Sequence, residues 1–199
     1  MNEENTGEIG LEKPKNKGKV FAVRSAKECA YLAVFVALLI VVQLVFSAVP
    51  GVEAVTVLLV SYAFVFGVRR GVIAATAFVL LRQIVFGFSP TVLILYLVYY
   101  PALSAAFGGF GHTVKKPLFS LWWLVLVACV CTATFTMMDN VITPLWYGYS
   151  QRVASAYFYA SFSFMIPQIV CTALSVSILF LPLEKAFRFA KRGLCVRIR

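Results

Sequence analysis

The sequence contains little charge for its length. Asp, Glu, Lys and Arg make up 13% of its 199 residues, whereas a water-soluble domain carries roughly 25%. Hydrophobic residues account for 61% of the chain. A chain of this composition has too few polar side chains to cover a surface in water, so we expect its surroundings to be a lipid bilayer.

The sequence also lacks the motifs that mark common catalytic, metal and phosphate-binding sites. It contains no HExxH, GxSxG or P-loop pattern and no cluster of carboxylates within an apolar run. The single histidine, His112, has no acid or nucleophile motif beside it. Gly108, Gly109 and Gly111 have no strand–turn–helix context and are expected to end a helix rather than to bind phosphate. We therefore predict no enzymatic activity, no cofactor and no metal.

Cysteine is scarce, and its spacing matches neither a metal site nor a redox motif. A disulfide framework would need partners outside the apolar runs. We interpret the five cysteines as small apolar packing residues; they are Cys29, Cys129, Cys131, Cys171 and Cys195.

Positive charge is the exception to the general lack of charge. The chain has 18 basic and 8 acidic residues, a formal net charge of +10. The basic residues lie between or beside apolar runs, which indicates topology signals and anionic lipid headgroups rather than nucleic acid. Residues 1–25 are too polar to bury a core, so we expect a disordered cytoplasmic tail. The next apolar run, about 20 residues, is too long for a cleavable signal peptide.

Six apolar stretches are expected to be membrane-spanning helices, since about 20 residues cross a bilayer and somewhat fewer suffice where the loops dip inward. We predict an all-α integral membrane protein with a six-helix domain over residues 26–192 and a basic cytoplasmic tail over 193–199. A longer polar and aromatic loop is expected over residues 139–151. The expected helices are 29–49, 54–68, 71–88, 91–110, 118–138 and 153–183.

The distribution of Lys and Arg predicts the orientation. Basic residues crowd the N-terminal tail, the turn after the second span, the loop after the fourth span and the C-terminal tail. The other three loops contain one basic residue, Arg152. By the positive-inside rule, both termini are expected in the cytoplasm.

This orientation sends a set of polar residues to the outer half of the membrane. Arg82 is the costliest of them, because a basic residue within a span needs a cavity or a partner. Two interpretations stay open: a structural ion pair of Arg82 with Asp139 or Glu53, or an outward-open pocket with charged anchors and aromatic rings. The candidate ligand-binding residues are Gln43, Glu53, Arg82, Gln83, Phe86, Tyr96, Asp139 and Tyr157.

Small residues form a stripe on the first helix. Ala26, Ala30, Ala33 and Ala37 are spaced four, three and four apart, which places them on one helical face. Small residues at this spacing let another helix approach closely in lipid. The partner is either a helix of the same bundle or another protein.

Several of these features resemble a known family. Six helices, the alanine face, the stretch 50–59 (PGVEAVTVLL), Phe86-Gly87-Phe88 and the run 96–100 are similar to the substrate-specificity (S) components of energy-coupling factor (ECF) importers, in particular a subgroup that includes cobalamin S components. The resemblance covers roughly residues 27–191. It implies a multi-pass protein of the bacterial cytoplasmic membrane that binds a vitamin or related micronutrient at its outer side.

The same resemblance implies specific partners. The alanine face would dock on the transmembrane coupling (T) subunit, and two ATPase subunits would supply the energy. The region of Glu53, Arg82 and Phe86 would be the ligand side. That subgroup often has an acidic residue where this chain has Arg82, a reversal that would suit a substrate with a negative group. The alternative class is a non-transporting membrane scaffold of the rod-shape or assembly type, which needs no pocket.

Overall fold

The computed structural model describes residues 26–48, 54–113 and 121–196, and this part of the chain is entirely helical apart from short turns. The all-α prediction is therefore confirmed for these residues. Six helices follow one another along the chain: α1 (Ala26–Phe46), α2 (Ala54–Phe66), α3 (Val68–Phe86), α4 (Pro90–Thr113), α5 (Leu121–Tyr147) and α6 (Gln151–Val196).

Four of the helices, α1, α4, α5 and α6, are long and apolar enough to cross a membrane. Their outward side chains suit lipid rather than water. Val34 on α1 is 69% exposed and Ile178 on α6 is 67% exposed. The part of the chain that the structure describes is thus a helical bundle with an apolar outer surface.

Helix α2 lies at the centre of the bundle. Every residue after Ala54 in this 13-residue helix is buried, and the helix packs against α1, α3, α4 and α6. A helix that is apolar on all sides must be surrounded by protein or lipid. Here the other helices enclose it, so α2 is the core around which they are arranged.

A single glycine separates α2 from α3. Gly67 has φ 88°, a conformation that residues with a Cβ rarely adopt. The sequence prediction placed this boundary at Arg69 and Arg70, but both arginines belong to the first turn of α3. The glycine, not the charge pair, ends the helix.

The glycines near the end of α4 are packing residues rather than a helix terminator. Helix α4 continues through Gly108, Gly109 and Gly111 to Thr113. A Cβ at position 108 would collide with the backbone of Val68, and one at position 111 with the backbone of Phe64. Their small size lets α4 lie against the α2–α3 junction, so the predicted end of the fourth helix was too early.

The predicted loop at residues 139–151 is wrong. Helix α5 continues to Tyr147, and the turn consists of Gly148, Tyr149 and Ser150. Pro144 lies inside α5 and Pro167 and Pro182 lie inside α6, as is tolerated in membrane helices whose neighbours satisfy the freed backbone groups. Polar and aromatic residues therefore suggested a loop where most of the chain remains helical.

Helix α6 is much longer than predicted. Its 46 residues correspond to about 69 Å at 1.5 Å per residue, more than twice the thickness of a hydrocarbon core. Its C-terminal part packs on α2: Phe180 meets Phe64, and Phe187 meets Tyr62 and Phe66. Glu184, beyond the predicted end of the helix, is buried and pairs with Arg188.

Charged contacts gather several helix ends at one end of the bundle, called the basic end below. Arg70 at the start of α3 donates a 2.8 Å hydrogen bond to Glu28 at the start of α1. Lys191 near the end of α6 donates to the carbonyl oxygen of Val65 at the end of α2. The opposite end, called the polar end, contains the ends of α1, α3 and α5 and the starts of α2, α4 and α6.

Candidate functional site

Arg82 lies near the polar end of α3, between two aromatic rings. The centre of its guanidinium group is 5.0 Å from the ring centre of Phe86 and 4.6 Å from that of Tyr96. These cation–π contacts hold the side chain but give its N–H groups no acceptor. The Nε atom is buried and has no hydrogen-bond partner in the structure.

No ion pair joins Arg82 to a carboxylate of the described residues. The structural pair with Asp139, one of the two interpretations left open by the sequence, is therefore not formed here. Glu53, the other proposed partner, lies outside the described residues. Arg82 and the two rings beside it, Phe86 and Tyr96, are three predicted ligand-binding residues that the fold brings together.

Two predicted glutamines, Gln43 and Gln83, each lie three residues before the end of their helix, α1 and α3 respectively. Gln83 is buried, and its Oε1 accepts a 3.1 Å hydrogen bond from the backbone N–H of Ser89, which fixes the turn between α3 and α4. Its Nε2 has no partner in the described structure, nor has the buried Oε1 of Gln43 on α1. The side-chain oxygen of Gln83 is thus used by the fold, whereas its side-chain nitrogen is not.

Asp139 lies inside α5 and is held by two hydroxyl groups. Tyr157 on α6 donates a 2.6 Å hydrogen bond to Oδ2, and Thr143 one turn later donates a 2.7 Å bond to Oδ1. The sequence prediction placed Asp139 in a loop after a helix that ends at residue 138, but α5 continues to Tyr147. The negative charge of Asp139 therefore does not lie at the C-terminus of α5, where the helix dipole would disfavour it. The hydrogen bond from Tyr157 to Asp139 joins two predicted site residues.

A cavity of about 320 Å³ lies between α5 and α6 beside Asp139. Its size is at the lower end of small-molecule sites. Polar bonds between the helices border it: Thr136 donates to Gln168, and the side chain of Ser161 contacts Asn140. The lining residues are Phe135, Thr136, Asp139, Tyr157, Ala160, Ser161, Phe164 and Gln168.

Phe135 connects the cavity to the arginine, and the sequence prediction missed it. Its ring lines the cavity and also packs against Tyr96 at 5.7 Å and Tyr99 at 4.8 Å between ring centres. The sequence spacing could have indicated that Phe135 belongs to the site, because Phe135 is four residues before Asp139 and so shares its helical face. The neighbouring rings belong to α4, which no local pattern in α5 could indicate.

The alanine face of α1 is uncovered. Ala26, Ala30, Ala33 and Ala37 are all exposed, whereas the buried residues of this helix, Phe35, Val36 and Leu39, lie on another face. The described bundle therefore does not use the alanines for its own packing. A membrane helix with small exposed residues at this spacing presents a surface that a second helix can approach closely.

The arrangement provides binding chemistry at the polar end: the guanidinium group of Arg82, the carboxylate of Asp139, several aromatic rings and a cavity. Among the described residues no group of three or more His, Cys, Asp or Glu side chains is arranged to hold a metal ion. No protein-family model, curated protein or solved structure matches this chain.

Proposed function

We propose that this protein is the substrate-binding S component of an ECF-type importer. It captures a vitamin or related micronutrient at the outer side of a bacterial cytoplasmic membrane and delivers it through a T subunit and two ATPase subunits. The observation that carries this proposal is the composition of the polar end, where Arg82 and Asp139 lie beside aromatic rings and a cavity without a charged partner in the described chain.

The proposed topology has six spans with both termini in the cytoplasm. Its support is the clustering of Arg70, Lys191 and the other basic helix ends at one end of the bundle. Helix α2 is short for a span at 13 residues, but its enclosure by protein removes the need to match the bilayer thickness. Arg69, which is exposed, marks the cytoplasmic side in this proposal.

Single-cysteine labelling tests the orientation in intact cells. All native cysteines are first replaced by serine or alanine. A cysteine at Ser150, in the α5–α6 turn, should react with a membrane-impermeant maleimide from outside. A cysteine at Arg69 should react only after the membrane is opened. Labelling of Arg69→Cys from outside, with Ser150→Cys protected, would reverse the proposed topology.

The exposed alanines support docking on a T subunit. The T subunit and ATPases are separate chains in this proposal, and energy enters only when the complex forms. Affinity purification of the tagged chain, co-expressed with the T and ATPase subunits of the same genome, should recover all four polypeptides. A chain that is stable in detergent but recovers neither the T subunit nor the ATPases would contradict the proposal.

A membrane scaffold of the rod-shape or assembly type is the second candidate function. The exposed alanine face favours it as much as it favours an importer, because a scaffold also binds partner helices. The composition of the polar end distinguishes the importer function from the scaffold function. A scaffold has no need for a cavity, and buried polar atoms such as the Nε of Arg82 would have no purpose in it.

A further inference from the structure

Two charged residues near the polar end, Arg82 and Asp139, form no ion pair with another residue of the described part of the chain. Asp139 accepts hydrogen bonds from the hydroxyl groups of Tyr157 and Thr143, but no described basic side chain pairs with it. Arg82 forms no ion pair among the same residues, and its Nε lacks an acceptor. Inside a bilayer a charged group of this kind is costly unless a complementary group reaches it.

One aromatic ring connects the surroundings of the two charges. Phe135 lines the cavity. Asp139, one helical turn further along α5, lines the same cavity. The same ring packs against Tyr96, whose own ring faces the guanidinium group of Arg82. The order along this path is therefore carboxylate, two aromatic rings and guanidinium.

Each end of the path favours a different chemical group. The cavity combines a carboxylate with the rings of Phe135, Tyr157 and Phe164, and none of the described residues that line it is basic. An anion with aromatic walls attracts an organic cation through both Coulomb and cation–π interactions. At the other end, the planar guanidinium of Arg82 with an N–H group left over is suited to a carboxylate or phosphate.

We infer that the ligand of this site is zwitterionic. One end carries an organic cation that enters the cavity beside Asp139, and the other end carries an anionic group that binds Arg82. A planar body between them lies against Phe135 and Tyr96. This inference rests on the proposed function, since it names the substrate class of the same polar end. A ligand with a single charge would leave the other of these two half-buried charges uncompensated.

Three compounds of nearly equal shape test this charge pattern. 4-(Aminomethyl)benzoate has an ammonium and a carboxylate group at opposite ends of a benzene ring. 4-Methylbenzylamine keeps only the cation, and 4-methylbenzoate keeps only the anion. At millimolar concentration, the zwitterion should raise the melting temperature of the detergent-purified full chain by about 2 °C or more, while the singly charged compounds have a smaller effect.

Two charge-removing variants assign the effect to the site. Arg82→Gln and Asp139→Asn should each abolish the stabilisation by 4-(aminomethyl)benzoate. Arg82→Lys, which keeps the positive charge, should retain part of it and shows that the position tolerates substitution. Gln151→Glu, an exposed change in the α6 N-terminus, is the matched control and should leave the shift unchanged.

Three results would overturn the inference. They are an equal shift with either singly charged compound, a zwitterion shift that survives in both charge-removing variants, and no shift with any of the three compounds. The proposed function is tested separately. Recovery of the T and ATPase subunits without zwitterion selectivity would refute the ligand class alone, and zwitterion selectivity without that recovery would refute the importer role alone.

Discussion

The hydroxyl group of Tyr157 on α6 lies 2.6 Å from Oδ2 of Asp139 on α5 and donates a hydrogen bond to it. This contact joins the two helices that enclose the cavity. It also holds the carboxylate of Asp139 toward α6, with Thr143 on the other oxygen. A charge that the bilayer would otherwise disfavour is thereby kept in a fixed position near the polar end.

Replacing Tyr157 by Phe should lower the stability of the ligand-free protein. The carboxylate loses one of its two donors, and a hydrogen bond to a charged group is worth about 1.5–3 kcal/mol when buried. Because Tyr157 and Asp139 are partly exposed, we expect about 1 kcal/mol, measured as a lower melting temperature in detergent.

Tyr159→Phe is the matched control for this change. Tyr159 is 73% exposed on the same helix, and its loss of a hydroxyl group should leave the melting temperature unchanged. Equal effects of the two substitutions would mean that the bond to Asp139 contributes nothing to the folded state.

Gly111→Ala should destabilise the bundle. The added methyl group would meet the backbone of Phe64, which cannot move without displacing the central helix α2. Overpacking of this kind costs about 1–3 kcal/mol. Thermal unfolding in detergent measures the effect.

Gly109→Ala provides the comparison on the same turn of α4. A Cβ at position 109 has no neighbour within 4 Å, so only the gain in helix propensity should act. Its melting temperature should be equal to or above that of the wild type. A loss of stability at 109 as large as that at 111 would contradict the close approach of α4 to α2.

The double variant Ala33→Leu/Ala37→Leu should prevent assembly with the T subunit. The longer side chains hold the partner helix away and remove the close contacts that drive association in lipid. Co-purification of the T and ATPase subunits should fall at least tenfold, while ligand binding by the isolated chain stays the same.

Leu38→Phe serves as the control for added volume on α1. Leu38 is 45% exposed but lies about 100° around the helix from Ala37 and about 140° from Ala33, since successive residues turn by about 100°. Assembly should be unaffected by it. Full assembly of the double alanine variant would show that this face is not the docking surface.

Arg82→Ala should weaken ligand binding by about 2 kcal/mol or more, roughly 30-fold, once uptake assays have identified the vitamin. The ligand-free melting temperature should change little, because the structure gives Arg82 no ion pair to lose among its described neighbours. Arg69→Ala, exposed at the basic end, should change neither quantity. A large stability loss with unchanged affinity would remove Arg82 from the site.

The apolar runs predicted the helices well because burial in lipid and in protein demands the same side chains. Where the prediction was wrong, local patterns competed with tertiary packing. Polar and aromatic residues suggested a loop after residue 138, but hydrogen bonds such as Thr143 to Asp139 and Tyr157 to Asp139 satisfy polar groups there within a helix pair. Arg69 and Arg70 suggested a turn that Gly67 makes instead.

The candidate site was predicted in part. The sequence named Arg82, Phe86 and Tyr96 as candidate ligand-binding residues, and the fold packs these three together. Phe135 was missed because its importance comes from a contact between α4 and α5, which sequence spacing within one helix does not reveal. The proposed ion pair between Arg82 and Asp139 was plausible from charge alone, but the two lie on separate sides of the aromatic contacts that include Phe135.

Uptake by purified components tests the importer role most directly. Liposomes are prepared with this chain alone or with this chain, the T subunit and both ATPases, and are supplied with a panel of labelled water-soluble vitamins. We predict that one vitamin accumulates against its gradient only in the complete complex and only with ATP. Accumulation by the chain alone, or no accumulation of any vitamin by an assembled and ATP-hydrolysing complex, would contradict the account.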